Sequence, residues 1–399
     1  MNTLAWALFL AVSWTWCIGM YLPTLMVRDG GVPFFFAFLI PNVVGAASVG
    51  WLLRDTDRSK RFVATRRTMM LAFSAVTIAF HAYFIIWRAG LGWTESKPGT
   101  IGGIVVGASL VGNAIAARRR VDWFPALVTL FFSFTLGVLL VAFPVGVVGS
   151  AELIAVAGLA MVTGLGFLLC PYLDLTFNRA CQHARRPVLA FTLGFFVFFL
   201  ATILIATRGR AIWTPSEAPF FILGSWLDIA IGCHFGAQAM FTCCAHIAAV
   251  RRLGVDGGIS RELTPETARP GMLPCVIAPA VAGLLIGLAM FAVDAVTTDG
   301  TLDLPGFTSP ITSHELAYRL FLGAYGLVFP AWMLMTTRRR ADLDRGTIAW
   351  TTAACVLAGP FLWLGAVGRD EVWLFPGVGL VIVLAAIRFT LTRRPAAAA

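Results

Sequence analysis

The sequence predicts an all-α polytopic membrane protein of twelve transmembrane helices with both termini in the cytoplasm. Three observations carry this: a composition too apolar for a soluble core, twelve apolar stretches of spanning length, and basic residues concentrated on one side. Of 399 residues, 59% are hydrophobic and 13% charged, and the mean hydropathy is +0.84. Soluble domains run about 45–50% apolar and about 25% charged. Surface-to-volume scaling leaves a soluble chain of this length too few interior positions to hide the difference. A soluble enzyme, a secreted disulfide scaffold and a disordered regulator are excluded.

A hydrocarbon core about 30 Å thick takes roughly 20 apolar residues as a helix. The stretches that qualify are 3–28, 33–53, 68–88, 101–117, 122–144, 152–178, 187–207, 218–249, 272–293, 315–337, 347–367 and 372–390. Lipid offers the backbone no hydrogen bonds, and none of these runs alternates as a barrel strand does, so each is read as a helix. Assigning successive loops to opposite sides places 23 of the 30 Lys and Arg with the even-numbered loops and C-terminal tail, and 7 opposite. The richer side is cytoplasmic. The N-terminus has no basic n-region or cleavage site, so the first span is expected to be retained. The expected location is the cell (inner or plasma) membrane, multi-pass.

The net charge of +10 sits in short clusters between spans, such as Arg118–Arg120 and Arg338–Arg340, not on one basic face. Nucleic acid is therefore not an expected partner. The expected partners are the bilayer and a small-molecule or ion substrate. The eight cysteines form no C-x-x-C pair and point to neither disulfides nor a metal site. No Ser-His-Asp order, phosphate loop or H-E-x-x-H motif is present, so no enzyme is read.

The chain repeats itself. Tyr21-Leu22, five residues, then Arg28 matches Tyr172-Leu173, five residues, then Arg179; Ile78…His81 matches Ile231…His234. Gly137…Phe143-Pro144 matches Gly323…Phe329-Pro330. Because the first and sixth spans cross in opposite senses, the matches describe five spans repeated in inverted orientation, as in secondary transporters. Residues 1–150 form the first unit, 151–340 the second, and 341–399 two further helices with a short basic tail.

On these residues the chain resembles the LeuT-fold secondary transporters of the amino acid–polyamine–organocation superfamily. The resemblance covers the first ten spans and is architectural. It implies that the first helix of each unit is broken near mid-membrane, here at Gly19–Pro23 and at Gly164, Gly166 and Pro171, and that the third helix of each lines the same site. The eighth span carries Thr242 alone where many sodium-coupled members carry adjacent hydroxyls, which favours a proton as the coupling ion.

Ionisable groups inside a membrane are costly and mark sites. His81 on the third span and His234 on the eighth are expected to face each other. His234, Gln238, Thr242 and His246 recur every fourth residue and make one polar stripe. An imidazole titrates near neutral pH and can bind substrate or relay a proton; its alternative role is an interhelical hydrogen bond. Asp174 falls in the expected break of the sixth span, as a substrate or proton ligand or as an ion-pair partner of Arg179. Tyr21 and Tyr172 are candidate donors. The expected function is a secondary transporter, moving a small solute or ion by alternating access with possible proton coupling. The alternatives are a bis-histidine haem b protein using His81 and His234, and a non-transporting scaffold of the same fold.

Overall fold

The computed structural model describes residues 1–88, 97–119, 121–141, 151–208, 224–253, 271–297, 301–304, 310–336 and 343–393. Phe143 and Pro144, part of one sequence match, lie outside them. Among the described residues, eleven helices are long and apolar enough to cross a membrane. The protein is a multi-pass, all-α membrane protein.

Asn2 caps α1 (Thr3–Leu52) by accepting from the Ala5 N–H at 2.8 Å. A straight helix of 50 residues is about 75 Å long, more than twice the hydrocarbon thickness. Instead α1 has non-helical backbone at Trp16 (φ 38°) and Gly31 (φ 72°). Glycine takes the left-handed region without a Cβ penalty, and the chain reverses at Gly31, because Trp14 Nε1 donates to Asn42 Oδ1 at 2.7 Å. The first two sequence stretches are thus one run of helix folded back on itself.

A short α2 (Thr56–Thr65) precedes α3 (Arg67–Arg88), α4 (Lys97–Arg119) and α5 (Trp123–Val141). Next, α6 (Leu153–Leu169) gives way to a 3₁₀ turn, Cys170–Leu173, and then α7 (Leu175–His183). The remaining spans are α8 (Pro187–Thr207), α9 (Gly224–Leu253), α10 (Leu273–Asp294), α11 (Ser313–Met335), α12 (Arg345–Val367) and α13 (Glu371–Thr392). Before α11, Thr301–Leu302 pairs antiparallel with Ile311–Thr312.

Apart from half-buried Leu8, residues 5–27 of α1 are buried on every side, and α3 and α9 are largely buried too. By contrast α4, α10 and α12 present most of their apolar surface outward, through side chains such as Val111, Leu285 and Val356. Apolar surface of that extent fits contact with lipid. The centre of the fold is therefore α1, held by α6, α8 and α9, with α3 against α9 and α10. Crossings are tightest where a glycine faces backbone, as Gly45 does against Phe167 of α6 and Gly283 against Ala79 of α3.

The break in α1 lies at Trp16. The chain is helical through Gly19 and Pro23, where the sequence placed the break. Gly164 and Gly166 likewise sit inside continuous helix; of the second set only Pro171 lies in the interruption. Gly166 and Gly19 serve packing instead: a Cβ on Gly166 would come within 2.9 Å of the Tyr325 carbonyl and one on Gly19 within 3.1 Å of Ile203, whereas one on Gly164 would meet nothing.

A polar centre between two interrupted helices

Interrupting a helix in a membrane frees backbone groups that must find new partners. At Trp16 the protein supplies them one by one. The Ser13 and Thr15 hydroxyls donate back to the Leu10 and Ala11 carbonyls (3.1 and 2.9 Å), a pattern that loosens a helix from within. The Trp16 indole donates to the Ser13 carbonyl at 2.5 Å. Gln238 of α9 donates to the Val12 carbonyl at 2.6 Å, and Tyr318 of α11 donates to the Cys17 carbonyl at 3.0 Å. The Cys17 N–H donates to His81 Nε2 at 3.1 Å, and His81 Nδ1–H donates to the Thr77 carbonyl at 2.7 Å. Three helices thus hold one break open.

The second interruption is capped by Asp174. Its Oδ1 accepts from the Thr176 N–H at 2.7 Å, starting α7, and its backbone N–H reaches the Pro171 carbonyl at 3.2 Å. Asn178 donates to the Tyr172 and Asp174 carbonyls. The two breaks meet: Thr176 Oγ1 donates to Ser13 Oγ at 3.3 Å, and the Trp14 and Phe177 rings lie 5.0 Å apart.

Around this junction stand His81, His246, Asp174, Gln238, Ser74 and Tyr325, each at least nine-tenths buried. Ser74 Oγ bonds His246 Nδ1 at 3.2 Å, and Thr77 Oγ1 bonds Tyr325 Oη at 3.1 Å. Trp16 packs against His81, His246 and Tyr325 with ring centroids 6.0, 5.7 and 5.3 Å away. Its other side borders a largely apolar cavity of about 220 Å³ between α1, α6, α11, α12 and α13. Two π-helical turns, Ala324–Val328 and Trp363–Val367, edge that cavity. Such widened turns often mark functional positions, and here one leaves the Tyr325 carbonyl free to accept from the Cys170 thiol.

Above the cavity lies a charged cluster. Arg28 grips Glu315 with both guanidinium nitrogens (2.7 and 2.8 Å) and Asp29 with Nε at 2.7 Å. Arg319 pairs with Asp29 and with Glu315 (2.9 Å) and donates to the Ala366 carbonyl at 2.6 Å, and Arg369 adds a 3.0 Å bond to Glu315. At the opposite end Asp122 binds Arg179 (2.5 Å) and Arg252 (3.3 Å), and Arg179 lies over the Trp6 ring.

The histidines expected to face each other do not. His81 turns to the α1 break, while His234 bonds Ser133 of α5 at 3.0 Å. An axial haem ligand needs a free ring nitrogen, and both of His81 are taken, so this pair does not fit a bis-histidine haem. Arg179 is spoken for by Asp122; the near partner of Asp174 is His246, with Nε2 3.8 Å from Oδ2. Tyr21 packs among Trp87 and Tyr318, and Tyr172 bonds Ser48 at 2.9 Å near the second break. Thr242 accepts from Gln238 at 3.3 Å, inside the centre. Trp16 and Tyr325 carry no signal in the sequence that marks them as site residues. Ser74 and His246 do: Ser74, Thr77 and His81 fall at steps of three and four on α3, and His246 continues the four-residue spacing from His234. No protein family model and no curated protein matches the sequence.

Proposed function

We propose that this protein is a LeuT-like secondary transporter of twelve spans, working by alternating access on a small solute or ion. The observation that supports it best is the pair of interrupted helices meeting at a buried polar junction, an arrangement used to bind solutes and ions at mid-membrane. In this reading residues 1–150 and 151–340 are the two inverted units, and α12 and α13 are the additions. The termini are cytoplasmic, and the Arg28–Asp29–Glu315–Arg319–Arg369 cluster closes the outer face. The cavity beneath it takes the solute, with Trp16 between solute and polar centre.

Reciprocal labelling tests this. In a background without native cysteines, Gly323→Cys reports the cavity and Ala5→Cys the cytoplasmic end of α1. Opening the outer cluster with Glu315→Gln should speed labelling at position 323 and slow it at position 5. Rates that do not move in opposite directions would refute alternating access and leave the scaffold reading standing.

A further inference from the structure

The charge state of the polar centre is the one part of the site that its hydrogen bonds leave open. Asp174 and His246 are fully buried, yet Asp174 Oδ2 and His246 Nε2 have no hydrogen-bond partner. These two atoms are the ones 3.8 Å apart. Every other polar atom of the two side chains is used: Oδ1 caps α7 and Nδ1 bonds Ser74. Among the described residues no lysine or arginine pairs with Asp174. The other titratable groups that act on the pair are His81 from α3, on His246, and Tyr325 from α11, on Asp174. Neither of them is a fixed cation. A buried carboxylate without one is expensive, and the cheapest compensation is a proton.

Resting on the transporter reading above, we propose that Asp174 and His246 are its coupling site and hold one proton between them. With no proton added the pair is a carboxylate and a neutral imidazole, net charge −1. One proton taken from solution makes it neutral overall and places an N–H or O–H in the gap. A charge-assisted bond of about 2.7–2.9 Å then forms when the atoms close by about 1 Å. Asp174 belongs to the interrupted helix, whereas His246 and Ser74 belong to α9 and α3, so the proton decides whether the interruption is tied to those two helices. Sodium, the rival coupling ion, would prefer an all-oxygen shell to an imidazole nitrogen.

The test uses the full-length protein in lipid nanodiscs. Infrared difference spectra between about pH 5 and pH 8, the range in which imidazole pairs respond, should show a protonated-carboxyl stretch that Asp174→Asn removes. Labelling of Gly323→Cys, divided at each pH by the labelling of an exposed reference cysteine to remove the thiol's own ionisation, should change about tenfold over the same range, a factor that a modest population shift supplies. That dependence should vanish in Asp174→Asn and His246→Gln, and its midpoint should move in Ser74→Ala, which leaves both groups in place and guards against misfolded variants. A pH-independent carboxyl spectrum, or pH-dependent labelling that survives in both variants, overturns the proposal. Labelling that answers to sodium and not to pH overturns it as well and leaves alternating access intact. The transporter reading itself fails separately, in the Glu315→Gln experiment.

Discussion

Gly45 sets how closely the second arm of α1 approaches α6, and Gly45→Ala tests whether that contact is as tight as the structure shows. A Cβ there would sit 1.9 Å from the Phe167 carbonyl oxygen, 2.7 Å from its carbon and 3.2 Å from Leu168 Cα. Ordinary contact begins at 3.4 Å, so the helices must part by about 1.5 Å. The obstacle is backbone on both sides, so no rotamer change relieves it. Overpacking a well-filled interface costs about 1–3 kcal/mol, and rigid backbone puts this case at the upper end. The replacement also gains up to about 1 kcal/mol of helix propensity, leaving a net loss of about 2 kcal/mol. Gly164→Ala, whose Cβ meets nothing, keeps the propensity gain alone and should be neutral or stabilising. Thermal unfolding in detergent, followed by tryptophan fluorescence, compares the two. A Gly45→Ala melting temperature equal to that of Gly164→Ala would refute the close crossing.

Three further outcomes are expected. His81→Leu strands the buried Cys17 N–H, at a cost of about 1–3 kcal/mol, while Ser133→Ala, which loses the bond to His234 and a local bond to the Thr129 carbonyl, should cost about 1 kcal/mol; melting temperatures in that order separate the two histidines. Glu315→Gln leaves Arg28, Arg319 and Arg369 without their shared carboxylate; breaking a buried pair costs about 3–5 kcal/mol, and the partial exposure of Arg28 places this one at the lower end. Asp344 caps α12, accepting from the Thr347 N–H at 3.1 Å and hydroxyl at 2.6 Å. Burial pushes its carboxyl up, but the Thr347 bonds and Arg388 outweigh it and hold the group below its ordinary value of 3.8. Its stabilisation is therefore complete above that value and lost as the pH falls through the depressed one. Asp344→Ala should cost about 1 kcal/mol at neutral pH, and the difference from the parent should shrink in strong acid.

Much of the architecture is legible in the sequence because a bilayer imposes length and hydropathy directly. The stretch 101–117 is helix to Arg119, and 122–144 is Trp123–Val141. Where the structure departs from the sequence expectation, tertiary partners decide the matter. Gly19 and Pro23 offer local permission for a break, yet the helix yields at Trp16, where Gln238, His81 and Tyr318 arrive from three other helices to take up the freed groups. Repeat positions were equally silent about environment. His81 and His234 align in the sequence, but one meets a helix break and the other a serine, because their neighbours differ. Asp174 was legible as a polar residue after Pro171; that one oxygen caps α7 and the other faces His246 is a fact of packing. His246 shares the stripe with Gln238 and Thr242, but a spacing rule carries no depth and does not place it beside Asp174.

The central claim is that the interruptions of α1 and α6–α7 meet at the polar centre. A cross-link tests it most directly: Ser13→Cys with Thr176→Cys, in a background without native cysteines, oxidised in membranes. The native hydroxyl oxygens are 3.3 Å apart, close enough for a disulfide of about 2.05 Å after a small adjustment. Rapid, near-complete cross-linking is expected, read by mass spectrometry of the linked peptides. Persistence of both free thiols, in protein that remains monodisperse, would contradict it.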